Sequence, residues 1–111
     1  MVTLGARLSV GQFVMKISFE QLKQKRALLH KALARYRTEN LRVFGSVLRG
    51  TADKGSDIDF LVDPLPGATL FDLGGLQVEL EALMGTSVDL LTPDDLPVSF
   101  RDRVLQEARP I

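Results

Sequence analysis

The stretch Asp57-Ile58-Asp59-Phe60-Leu61-Val62 leaves a folding chain few options. It is rich in apolar residues and bounded by turn formers, Asp53-Lys54-Gly55-Ser56 before it and Asp63-Pro64 after it, so it reads as a short strand. Side chains alternate along a strand, which puts Ile58, Phe60 and Val62 on one face and Asp57 and Asp59 on the other. Positions two apart on one face are separated by about 6–7 Å. Two carboxylates at that spacing repel by about 3 kcal/mol at an effective dielectric near 20. The apolar face must be buried against other elements, and the acidic face needs a compensating charge. Hard divalent cations supply it, and Mg²⁺ is usually held by one or two carboxylates together with substrate phosphates.

The remaining segments supply what such a strand packs against. Ser18 followed by Gln21 matches a capping box, with Ile17 and Leu22 placed for a hydrophobic staple. Phe19, Leu22, Leu29, Leu33 and Tyr36 then recur at helical spacing, which predicts one amphipathic helix over Phe19–Arg37. His30 lies in that helix with no second metal-ligating side chain nearby, as expected of a surface residue. Leu41–Phe44 reads as a strand ending at Gly45, with a helix beginning near Ser46. Leu73, Leu76, Leu80 and Leu83 predict a helix over Leu70–Met84, weakened by Gly74-Gly75 and stopped by Gly85. Ser87–Leu91 reads as a third strand. A last helix over Val98–Ala108 presents Phe100, Val104, Leu105 and Ala108, with Pro110 halting it. Alternating helices and strands imply a sheet covered by helices, an α/β (α+β) domain over residues 15–111. Residues 1–14 fit no helical period and are expected to form a loose arm.

Composition narrows the function classes. Of 111 residues, 45% are hydrophobic and 25% charged, the balance of an ordinary globular domain. No apolar run approaches the ~20 residues that span a bilayer. Fourteen basic residues offset fourteen acidic ones, so no broad nucleic-acid-binding face is advertised. The lack of cysteine leaves no disulfide framework or thiolate zinc site, and a cytoplasmic setting is expected.

Two further pieces belong with the paired aspartates. Asp89 stands in the apolar run Val88-Asp89-Leu90-Leu91, where burying a carboxylate would be expensive. If that strand neighbours the first, Asp89 completes a three-carboxylate set of the kind that holds two cations for in-line displacement at phosphorus. Gly45-Ser46 follows a strand and opens a helix, so backbone can approach a phosphate closely there, and Ser46 adds a hydroxyl. A side chain at Gly45 is accordingly expected to weaken nucleotide binding more than stability. Arg49, one turn later, is placed to meet a phosphate oxygen or to pair with the acidic turn. The Gly-Lys-Ser/Thr ending of a Walker loop is absent.

Gly45-Ser46-Val47-Leu48-Arg49-Gly50 followed by Ser56-Asp57-Ile58-Asp59-Phe60-Leu61-Val62 resembles the signature of the polymerase-β-type nucleotidyltransferases, and the chain's size resembles their minimal branch. The similarity continues through Val88-Asp89-Leu90-Leu91-Thr92-Pro93 and the closing Arg103–Ala108 helix. The resemblance implies a small mixed sheet flanked by helices. It implies that Asp57 and Asp59 bind two Mg²⁺ ions, for which Mn²⁺ can substitute, and that Asp89 binds the catalytic ion and helps activate the acceptor hydroxyl. Gly45 and Ser46 would hold the triphosphate of ATP or another NTP, with Arg49 and Ser56 beside them. Larger relatives carry an acceptor-binding domain that this chain lacks, so the acceptor is expected on a partner. Minimal members often act as antitoxins of HEPN-type ribonuclease toxins, in a hetero-oligomer, by transferring AMP to a toxin hydroxyl. The alternatives are an antitoxin that works by contact alone and a transferase acting on a small molecule or RNA end.

Overall fold

The computed structural model describes residues 17–52 and 57–111. The expectation for residues 1–14 lies outside that range. Ser18 caps the first helix, α1 (Phe19–Gln24), through the expected reciprocal bonds: its hydroxyl accepts from the Gln21 amide and its own amide donates to the Gln21 side chain. The single helix predicted to follow is split at Lys25, which leaves helical geometry before α2 (Arg26–Arg35) begins. Lys25 donates its ammonium to the Leu83 carbonyl at 2.8 Å. Periodicity continues across the break because Leu22 and Leu29, on either side, both point into the core.

The first strand, β1 (Thr38–Phe44), starts three residues earlier than expected. Its opening residues Glu39 and Asn40 are exposed and polar, and the register shifts between Glu39 and Arg42. Asn40 sits at φ +58 inside that irregularity and donates to Asp63 on the next strand, as does Arg42. A bulge with polar residues on it breaks the alternation by which a strand is recognised. One turn of helix, α3 (Ser46–Arg49), follows Gly45, and β2 (Ile58–Pro64) runs back antiparallel to β1.

The helix α4 (Leu70–Met84) has a capping box between Thr69 and Asp72 and ends at Gly85, which takes the left-handed conformation expected of it. β3 (Val88–Leu91) then pairs parallel with β2. A 3₁₀ turn (Pro93–Asp95) leads to α5 (Val98–Glu107), and the chain closes with β4 (Arg109–Pro110) on the outer edge of β1. The sheet is mixed, in the order β3-β2-β1-β4. Pro110 was read only as a helix stop; two residues carry no period, and what fixes them is remote. The Ile111 amide donates to the Leu41 carbonyl, and exposed His30 lies 2.8 Å from the Ile111 carbonyl.

Ile58, Phe60 and Val62 are fully buried among Leu22, Leu29, Leu33, Leu76 and Leu80, so the helices α1, α2 and α4 cover that face of the sheet. The opposite face of β2 carries Asp59, Leu61 and Asp63, and it is there that chemistry is exposed. No helix among the described residues is long and apolar enough to cross a membrane.

Tyr36 accounts for the awkward glycine pair in α4. A Cβ on Gly75 would lie 2.5 Å from Tyr36 Cε1, whereas one on Gly74 would meet nothing within 4 Å. Gly74→Ala should therefore gain the helix-propensity benefit of up to about 1 kcal/mol. Gly75→Ala should lose about 1–3 kcal/mol to overpacking against the ring, less that same benefit. Thermal melts of the two variants should move in opposite directions, and a rise in Tm for both would contradict the Tyr36 contact.

Candidate active site

β2 holds its acidic face between two neighbours. Asp59 is the register partner of Phe44 on β1 and of Asp89 on β3, so the two aspartates face one another across strands spaced about 4.8 Å apart. Asp57 precedes the first residue of β2 and is exposed. Asp89 is exposed as well, against the expectation of a carboxylate buried in an apolar strand. β3 lies at the edge of the sheet, so Asp89 keeps its water and its cost is repulsion rather than desolvation.

Asp59 is the partly buried centre of the group. Burial, then the Asp89 carboxylate, then that of Asp57, push its pKa above the ordinary 3.8, while Arg49 and the Ser46 amide pull it down. One carboxyl group thus senses Asp57, Asp89, Arg49 and Ser46, four of the residues singled out from sequence. Gly45 is the fifth. It adopts φ +73 and ψ −140, which disfavours any L side chain, and a Cβ there would collide with Asp59 Oδ2. A side chain at Gly45 thus costs stability as well as binding, because it displaces Asp59 directly. The Ser46 amide, expected to be free for phosphate, faces Asp59 as a backbone donor and helps pull its pKa down. Ser56 and the acidic turn that might have paired with Arg49 lie outside the described residues.

Beside this group runs a cleft of about 490 Å³, lined by Phe44, Gly45, Arg49 and Asp59 together with one stripe of α5. The α5 wall consists of Phe100, Arg103, Val104 and Glu107. Their spacing of three, four and seven makes them one helical stripe. Sequence reasoning used the apolar members of that helix and passed over Arg103 and Glu107. Two charges on an otherwise apolar stripe were the available signal.

Residues 20–111 match the nucleotidyltransferase domain family. The chain belongs to this family. It is a nucleotidyltransferase. It is 38% identical to the protein adenylyltransferase MntA of Thermococcus cleftensis, over 66% of this chain and 74% of that one. A solved structure provisionally described as a minimal nucleotidyltransferase is 39% identical and superposes with a TM-score of 0.75, covering 86% of this chain and 97% of that one. A chain from a crystal structure of a toxin–antitoxin with AMP-PNP shares the fold at 22% identity, with a TM-score of 0.60 over 72% of this chain and 66% of that one.

Whether the nucleotidyltransferase site suits a divalent cation is a question of its donors. Among the described residues no three His, Cys, Asp or Glu side chains are already gathered into a ligand cage. What stands there is an open set of hard oxygen donors in which burial, then the neighbouring carboxylates, raise the pKa of Asp59, and a small divalent cation fits that chemistry.

The raised pKa fixes the sign of a pH effect. Between 3.8 and the raised value the folded chain holds more protons at Asp59 than the unfolded chain does, so this group's contribution to stability falls as pH rises through that window. Above it the penalty is fully present. Asp59→Asn keeps an acceptor for the Ser46 amide and removes the charge. In cation-free buffer it should melt higher than the parent at pH 7, and the advantage should shrink as pH falls toward 3.8. A difference independent of pH, or a less stable variant at pH 7, would contradict the assignment.

Proposed function

We propose that this nucleotidyltransferase moves AMP from ATP to a hydroxyl group of a partner protein in the cytoplasm, and that the partner is a HEPN-type toxin which the modification silences. The observation that carries the reading is the register match of Asp59 with Asp89 beside Gly45-Ser46, because it sets carboxylates next to a glycine-serine turn at one end of the sheet, the groups this reading uses for acceptor activation and phosphate binding. The name of the Thermococcus relative and the AMP-PNP-bound toxin–antitoxin supply the adenylyl group and the kind of partner.

In this reading Ser46, Arg49 and Ser56 hold the triphosphate, and Gly45 keeps the backbone low enough for it to approach. The acceptor oxygen attacks the α-phosphorus, the α–β phosphoanhydride bond breaks, and pyrophosphate leaves with the electron pair. Asp89, exposed at the rim, orients the acceptor hydroxyl and takes its proton. Asp57, Asp59 and Asp89 would hold two Mg²⁺ ions, or Mn²⁺ in their place, which supply activation of the attacking oxygen and stabilisation of the leaving one.

Asp89 separates catalysis from contact inhibition. Asp89→Asn preserves size and leaves Asp59, Ser46 and Arg49 in place, so it should bind ATP and partner with little change in KM while kcat falls by about 10²–10⁴-fold. With the parent chain, ATP and Mg²⁺, mass spectrometry should find the partner heavier by one AMP, about 329 Da on the stoichiometry of nucleotidyl transfer. The adduct should be lost in Asp89→Asn. Full neutralisation of the partner by Asp89→Asn, with no adduct in either sample, would replace the enzyme reading with a binding antitoxin.

A further inference from the structure

The cleft beside Asp59 has a wall that the transfer reaction as described leaves without a task. Phe100 is 39% exposed and lines the same cleft as Gly45, Arg49 and Asp59. Other exposed apolar side chains, such as Phe71 and Val78 on α4, do not line it. Arg103 is one turn further along α5 on the same stripe. Among the described residues, neither Arg103 nor Arg49 has an ion-pair partner within 4 Å, whereas Arg35, Arg42 and Arg101 are engaged by Glu79, Asp63 and the Leu96 carbonyl. Arg103, with no ion-pair partner among the described residues, and Arg49, whose charge acts on Asp59, therefore border a single cleft with one open aromatic ring.

We propose that α5 is the nucleoside side of the nucleotide site: the base stacks on Phe100, and Arg103 joins Arg49 in meeting the phosphates. The proposal rests on the reading of this site as an NTP site and adds where the base lies. A nucleotide joins a flat aromatic surface to a polyanion, and the cleft offers an apolar ring and two cations in that relation. Phe100 and Arg103 stand one helical turn apart on the stripe, about 4.5 Å of rise, so a ring and a cation line the cleft side by side. A volume of about 490 Å³ is within the range of small-molecule sites. Stacking reads the face of a base and not its edge, so Phe100 supplies affinity with little base selectivity.

Two probes divide the proposal into its parts: ATP, and inorganic tripolyphosphate, which has the charge without the base. Binding of each, with Mg²⁺ present, is measured by calorimetry on the whole chain. Phe100→Ala should weaken ATP about five- to hundredfold, the range of base–aromatic stacking, and leave tripolyphosphate unchanged. That unchanged value also reports that the variant is folded and its phosphate site intact. Arg103→Gln should weaken both probes. The chain has no tryptophan, so Phe100→Trp introduces a single tryptophan, excited selectively at wavelengths where Tyr36 does not absorb, whose emission ATP should quench and tripolyphosphate should not. ATP affinity unaltered by Phe100→Ala, with Phe100→Trp emission unmoved by ATP, overturns the base assignment while the NTP site stands. If Phe100→Ala keeps its ATP affinity but no longer labels the partner, the α5 wall belongs to the acceptor and the proposal fails. If the parent chain binds neither probe, the NTP reading and this proposal fall together.

Discussion

Repulsion among Asp57, Asp59 and Asp89 is the constraint around which this small domain is arranged. Each strand placement that buries Ile58, Phe60 and Val62 also turns Asp59 to the opposite face, where β3 sets Asp89 opposite it. Core formation and site formation are thus one event on β2. The protein softens the charge locally rather than removing it, with the Ser46 amide as a hydrogen-bond donor and Arg49 as a nearby cation. Gly45 permits the first of these, since any side chain there would occupy the space of the Asp59 carboxylate. These devices lower the pKa of Asp59 but do not cancel burial and its acidic neighbours. A residual penalty of this kind is common where a site is built to receive positive charge.

The division of the sheet into two faces gives the molecule its functional asymmetry. On one side α1, α2 and α4 close over an apolar core, with Tyr36 seated on Gly75 and Lys25 bonded to the end of α4. On the other side α5 stands beside Asp59 and leaves a cleft between them. The C-terminal Ile111 is fastened to Leu41 and His30, so β4 anchors α5 at the edge of β1. That anchoring brings Arg103 and Glu107 to the same cleft as Arg49, although more than fifty residues separate them in sequence.

Much of this was legible from residue order, and what was not has identifiable causes. The strands around Phe60 and Leu90 and the helix through Leu76 and Leu80 announced themselves because each is an apolar segment bounded by turn formers or a glycine stop. The start of β1 was obscured by a bulge at Asn40, which puts polar residues where alternation expects apolar ones. The break at Lys25 leaves the leucine spacing intact and so carries no periodic signal. β4 is too short to have a pattern at all. Within the site, Gly45, Ser46, Arg49, Asp57, Asp59 and Asp89 were identified by residue type and spacing, and the fold brings them together. Phe100 and Arg103 were not, because their relation to Asp59 exists only after β4 has docked.

The proposed transfer requires that the acidic end of β2 be where a divalent cation meets the nucleotide. Paramagnetic broadening tests it directly. With ATP present and Mn²⁺ added well below stoichiometry, the amide signals of Ser46, Ile58, Asp59 and Asp89 should broaden first, and those of Val78 and Ala82 on the far helix should stay sharp. Asp59→Asn should abolish this pattern at the same Mn²⁺ level. Broadening centred elsewhere, such as on Asp94 and Asp95 of the 3₁₀ turn, or a pattern untouched by Asp59→Asn, would contradict the account.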